Sequence, residues 1–230
     1  MLIACAHGTR NPTGRRLIAE LALAARTQRP GLITTAAFVD VQPPTVGDVV
    51  AELSATGRPA VVVPLLLSGG YHVHVDIAGA VAAAPGTVAA RPLGPDPRLV
   101  EVLHDRLLQA GADPRDPLTA VVLAAAGSSD PRAVADVGDT ADLLQRSWAG
   151  AVTTGYGSAA QPPVPDAVAA ARRGGAERVV VAAYLLAPGH FYDKLAGAGA
   201  DAVTAPLLPD ERIAAVLLDR YDAALVAAGA

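Results

Sequence analysis

The chain has 230 residues, 52% of them hydrophobic and 17% charged, which is enough apolar material for one large domain or two small ones. A net charge of −4 without a dense Lys/Arg run, and an aromatic content of 3%, exclude a broad nucleic-acid or anionic-membrane footprint and an aromatic platform for single strands. Cys5 is the single cysteine, which excludes an intrachain disulfide and a cysteine-based zinc site and fits a reducing, cytoplasmic setting.

The first apolar run, 2–6, ends at His7-Gly8, and a helix is expected over 12–28. A strand over 33–39 follows, ending at Asp40, then a helix over 44–56. The next run, 60–67, leads through Ser68-Gly69-Gly70-Tyr71 to His72, with a helix expected over 75–84. A strand at 87–90 and a helix at 96–110 complete the first half. The second half reads as strands 119–125, 151–154, 178–186 and 201–204, with helices 131–147, 163–174, 189–197 and 209–228. Short apolar strands separated by helices are the signature of parallel βαβ units. No apolar run reaches the roughly 18 residues of a membrane span. The N-terminal residues read as a strand without a signal-peptide pattern.

The pattern is duplicated. Leu93-Gly94-Pro95-Asp96-Pro97-Arg98 and the helix after it, to Val102-Leu103-His104-Asp105-Arg106, align with Leu207-Leu208-Pro209-Asp210-Glu211-Arg212 and Val216-Leu217-Leu218-Asp219-Arg220. Val61 to His72 aligns with Val179 to His190, and Ala6-His7-Gly8 with Ala125-Ala126-Gly127. Internal symmetry of this kind indicates two like domains. They are expected as residues 1–113 and 114–230, joined near the breaker-rich segment 111–117. The fold class expected is α/β, two tandem flavodoxin-like domains, each a four-stranded parallel sheet flanked by helices.

In such a sheet, ligands bind beyond the carboxyl ends of the strands. His7 and His72 arrive there from different strands, which points to a metal or proton-transfer site. His7 is Ala126 in the second copy, so that position does not need imidazole for packing. His72 has His190 as its counterpart. Asp76 is spaced to orient the His72 ring. Asp40, after the second strand, is placed to reach the ligand of a strand-one histidine, or simply to cap the next helix. His74 falls at the helix start or the rim of the site. His104 lies on a helix, where Leu218 is its counterpart, and reads as half-buried surface. Gly155-Tyr156-Gly157-Ser158 lacks the lysine of a phosphate-binding loop, and no nucleophile elbow is present.

Together these residues resemble the sirohydrochlorin chelatase family, the small class II chelatases related to anaerobic cobaltochelatase and ferrochelatase. The resemblance rests on Ala6-His7-Gly8-Thr9-Arg10-Asn11-Pro12, on Ala37-Phe38-Val39-Asp40, on Pro64-Leu65-Leu66-Leu67 with His72-Val73-His74-Val75-Asp76-Ile77, and on Pro92-Leu93-Gly94-Pro95-Asp96. It implies two flavodoxin-like domains with a tetrapyrrole cleft between them, and insertion of Fe2+ or Co2+ into sirohydrochlorin on the way to sirohaem or cobalamin. The divalent metal is a substrate, and no organic cofactor is implied. His7 and His72 carry over as metal ligands or proton acceptors, and Asp40 as the acidic metal ligand, shorter here than the family's Glu. Arg10, Gly8, Thr9, Gly70, Tyr71 and His190 are the expected substrate contacts, with Arg10 and helix-start N–H groups meeting the tetrapyrrole carboxylates. A carrier of the same fold without turnover is the alternative reading. The partner expected is the small-molecule tetrapyrrole, with no nucleic acid and no membrane. The duplication lets a monomer do what a half-length chain does as a homodimer, and the oligomeric state stays open.

Overall fold

The computed structural model describes residues 1–70 and 72–229, the side chain of His74 excepted. The chain divides into two compact units, Met1–Gly94 with Leu208–Ala230, and Pro95–Leu207.

Unit 1 holds β1 (Leu2–Ala6), α1 (Pro12–Gln28), β2 (Thr34–Phe38), α2 (Val46–Ala55), β3 (Ala60–Pro64), a π-helical turn (His72–Ile77), α3 (Ala78–Ala82) and β4 (Thr87–Ala89). Its sheet is parallel, in the order β2-β1-β3-β4. The central strands β1 and β3 are buried along their whole length, which is why they read as unbroken apolar runs. Ile3, Cys5, Val62 and Ile77 share one core cluster with Val46, Val49 and Val50 of α2.

Unit 2 starts with α4 (Pro97–Gln109) and continues with β5 (Thr119–Ala125), α5 (Pro131–Gln145), β6 (Val152–Tyr156), α6 (Val164–Arg173), β7 (Arg178–Tyr184), α7 (His190–Leu195) and β8 (Ala202–Val203). Its sheet order, β6-β5-β7-β8, repeats that of unit 1. The last helix, α8 (Glu211–Ala227), packs in unit 1 against α1, β3 and β4, whereas α4 packs in unit 2 against α5 and β7.

The two sequence halves have therefore exchanged their last helices. The division expected at 113/114 is that of the repeat; the compact units part at 94/95 and 207/208. The duplicated Asp-Arg pair explains how each exchanged helix is held. Arg106 of α4 donates from Nε to the Pro206 carbonyl and from Nη2 to that of Leu207, both at 3.1 Å. Arg220 of α8 makes the same fork onto Pro92 and Leu93, both at 2.8 Å. Arg29 after α1 also pairs with Asp222 of α8 at 2.5 Å.

Local chemistry sets the helix starts. Asn11, Asp96, Asp130 and Asp210 accept from the N–H two or three residues on, and three of them precede a proline at the first helical position. Two expectations shift. The strand expected over 60–67 ends at Pro64, which has no N–H of its own, with one further bond beyond it, from the Leu65 N–H to the Cys5 carbonyl at 2.7 Å. The helix expected from residue 75 begins earlier, as the π-helical turn at His72.

Leu217 on α8 is fully buried. Leu217→Ala is expected to destabilise the protein by about 2–5 kcal/mol. In hydrogen exchange the loss of protection should fall on α1 and β3 of unit 1. A loss confined to β7 and β8, its nearer neighbours in sequence, would contradict the exchanged arrangement.

Candidate functional site

His7 follows the last residue of β1, and His72 follows β3 after the seven residues 65–71, with a bend at Leu67 and Ser68. Because β1 and β3 are hydrogen-bonded neighbours in parallel register, with Cys5 opposite Pro64, both chains leave the sheet on the same side. The imidazoles meet there edge to face, ring centroids 4.7 Å apart and planes at 84°. His7 Nδ1 stands 3.3 Å from the Gly8 carbonyl. His72 Nδ1 stands 2.7 Å from Asp76 Oδ2, one π-helical turn on, with both side chains about a third exposed. π-helical turns inside helices are frequent at functional sites.

Asp40 sits beside this pair through its backbone. Its N–H donates to the His7 carbonyl at 3.0 Å. Its own carbonyl packs so close to Gly8 (φ +98°) that a Cβ there would lie 2.3 Å from it, so residue 8 must be glycine. The Asp40 carboxylate accepts from the Val41 N–H at 2.7 Å. Val41 has φ of 67°, a strained conformation for a β-branched residue, and Gln42 N–H donates back to the Asp40 carbonyl at 2.8 Å. Among the described residues, no group of three or more His, Cys, Asp or Glu side chains is arranged to hold a metal ion. The Asp40 carboxylate does not form such a group with the two histidines. The structure brings together His7, His72 and Asp76, and uses Asp40 to staple the second strand's exit to the first.

The remaining expected residues are placed as follows. Thr9 lies against the same loop, but its N–H is taken by Gln42 Oε1 at 3.1 Å, so that donor is not open to a substrate. Its Oγ1 accepts from Asn11 N–H at 3.1 Å. The Arg10 side chain is exposed at the rim. Gly70 donates to Ser68 O at 3.1 Å and accepts from Val73 N–H at 3.0 Å, which shapes the approach to His72. Tyr71 lies outside the described residues, as does the side chain of His74. His190 opens α7 of unit 2, exposed, with Phe191 at a ring distance of 5.5 Å. His104 packs edge-on against Trp148 at 6.2 Å, as a helix-surface residue does.

Gln42 is the residue that sequence reading missed. Its tie to Thr9 joins two loops, and nothing in its Gln-Pro-Pro context announces that. The second copy keeps the frame and loses the chemistry. Gly127 (φ +90°) packs on the Ser158 carbonyl as Gly8 does on that of Asp40, and Ala159 (φ 56°) repeats Val41. At the chemical positions Ala126 replaces His7, Ser158 replaces Asp40, and Lys194 replaces Asp76.

Two imidazoles with an adjacent carboxylate form an open nitrogen site. It suits a borderline divalent ion, held by few ligands and released readily, and imidazoles also accept protons near neutral pH. Cys5, two residues before His7, is buried in the core cluster with Ile3 and Val62. Burial, reinforced by the Asp76 charge, pushes its thiol up to about 12.

The comparisons with known proteins bear on this site. The CbiX family model matches residues 1–110 and 120–224. A sirohydrochlorin ferrochelatase of Priestia megaterium is 29% identical over 160 residues, 66% of this chain and 60% of that protein. A sirohydrochlorin cobaltochelatase of Methanococcoides burtonii is 30% identical over 77 residues, 33% of this chain and 59% of that protein. The chain thus spans about three fifths of the length of these curated relatives. SirB from Bacillus subtilis, solved with Fe3+, superposes with a TM-score of 0.81 at 20% identity, covering 99% of this chain and 96% of that one, a likeness of fold. No helix among the described residues is long and apolar enough to cross a membrane.

The raised Cys5 pKa has a consequence with a definite sign. Between the unfolded thiol value, about 8.5, and the folded one, about 12, the folded state holds a proton that the unfolded chain has lost. This stability contribution is present below the unfolded value and is lost as pH rises above it. Iodoacetamide at pH 8.5 should therefore leave Cys5 unmodified in the native protein and label it quickly in denaturant. Equal labelling in both would refute the buried, protonated thiol.

Proposed function

The chain belongs to the CbiX family, and on that premise we propose that it inserts a divalent metal ion, Fe2+ or Co2+, into sirohydrochlorin. The observation that carries this reading is the His7–His72 pair at adjoining strand ends, 4.7 Å apart, in a copy of the fold whose duplicate has Ala126 instead of His7. The names of the curated relatives support the substrate and both metals.

The reaction exchanges two macrocycle N–H protons for M2+. In this reading His7 and His72 hold the incoming ion through imidazole nitrogen while it sheds water. They then take up the pyrrole protons as the metal–nitrogen bonds form, and pass them to solvent. Weak ligation by two imidazoles favours transfer over retention. Arg10 at the rim meets a tetrapyrrole carboxylate. Gly8 and Gly70 allow the macrocycle close to the backbone, and Thr9 contributes its hydroxyl, its N–H being engaged. Tyr71 and His190 keep their expected role as substrate contacts as part of this proposal. A cytoplasmic setting, in which Cys5 stays reduced, belongs to the same reading.

The test follows absorbance of sirohydrochlorin with Co2+ or Fe2+ under anaerobic conditions at catalytic amounts of protein. Many turnovers per chain are expected. A spectral change that stops at one equivalent of protein indicates a carrier. His7→Ala and His72→Ala should each lower kcat by about 10²–10⁴-fold, with unchanged circular dichroism. Insertion at the wild-type rate in both variants would overturn the assignment.

A further inference from the structure

We propose that Asp76 is a positioning residue: it fixes the His72 ring as the Nδ1–H tautomer, so that Nε2 carries the lone pair offered to the metal. This rests on the reading of His72 given above.

A carboxylate can only accept, so the 2.7 Å contact between His72 Nδ1 and Asp76 Oδ2 requires the imidazole proton on Nδ1. The lone pair then lies on the opposite side of the ring, away from the carboxylate. A metal-ligating histidine characteristically has its other nitrogen tied in this way, which sets both tautomer and orientation. The spacing of four residues along the π-helical turn puts the two side chains on one face, and the small separation leaves the ring little freedom.

The duplicate separates this role from a structural one. At the position of Asp76, α7 carries Lys194, the only lysine in the sequence and exposed. Lysine cannot accept from an imidazole N–H, yet the copy folds with the same sheet order and the same glycine contact. The fold thus does not require a carboxylate here. His7 and Asp76 are replaced together in the copy, as expected if Asp76 serves the imidazole pair.

The experiment uses the full chain, with His72 assigned through His72→Gln, and reads three quantities. These are the His72 tautomer by long-range 15N–1H NMR without metal, the affinity for Co2+ alone, and kcat and KM for sirohydrochlorin. Wild type should show the proton on Nδ1. Asp76→Ala should give a mixture of tautomers, and Co2+ affinity and kcat should each fall by about 10–100-fold with KM for the tetrapyrrole unchanged. Asp76→Asn, whose amide oxygen still accepts from Nδ1–H, should recover most of both. A wild-type His72 protonated on Nε2 overturns the proposal without any variant. So does a folded Asp76→Ala that keeps wild-type affinity and kcat. Failure of the function itself appears instead as no turnover by the wild-type chain, and leaves the tautomer and Co2+ readouts standing.

Discussion

Everything at the candidate site depends on the parallel pairing of β1 with β3. Leu2 to Cys5 lie opposite Val61 to Pro64, and both strands are buried on both faces. A register slip by one residue would send every side chain to the other face of the sheet, so packing of the two faces holds this register firmly. With the register held, the two chains leave the sheet at the same level, and each delivers a histidine within one or two short turns. The γ-turn after β2 adds the third strand to this edge. Its carbonyl needs a glycine at residue 8, and its strain at Val41 is sustained by the hydrogen bonds of Asp40 and Gln42 around it.

The duplication lets the scaffold be told from the chemistry within one molecule. Gly8 and Gly127, Val41 and Ala159, and the Arg106 and Arg220 forks are kept in kind, because each answers a backbone problem that both copies share. His7, Asp40 and Asp76 are not kept: Ala126, Ser158 and Lys194 stand at their positions, so no backbone problem shared by the two copies requires them. His190 survives without Asp76's counterpart, so its ring has no carboxylate to orient it through position 194. The asymmetry read first from His7 and Ala126 thus extends to the neighbouring acidic positions.

Much of the fold was legible in the sequence, and for a physical reason. Central parallel strands must be apolar throughout, and the capping Asp and Asn residues sit where each helix begins. The neighbouring of strands one and two, and the delivery of both imidazoles at strand ends, followed from the doubly wound pattern. The exchange of α4 and α8 was not legible, because both helices carry the same apolar face and the same Asp-Arg pair. Each suits either sheet, and only the short connections decide. The direction of the Asp40 carboxylate escaped for a similar reason. Residue type and strand position put Asp40 at the right edge, but its carboxylate accepts from the Val41 N–H within a loop whose positive φ no hydrophobic pattern marks. The π-helical turn left no mark in hydrophobic periodicity over so few residues.

The central claim is that His7 and His72 together hold the metal ion through nitrogen, with Cys5 turned into the core beneath them. X-ray absorption at the cobalt edge, on the full chain with one equivalent of Co2+, tests it most directly. The account predicts a nitrogen and oxygen shell with the multiple scattering of two imidazoles and no sulfur. A sulfur scatterer, or a shell without imidazole, would contradict it.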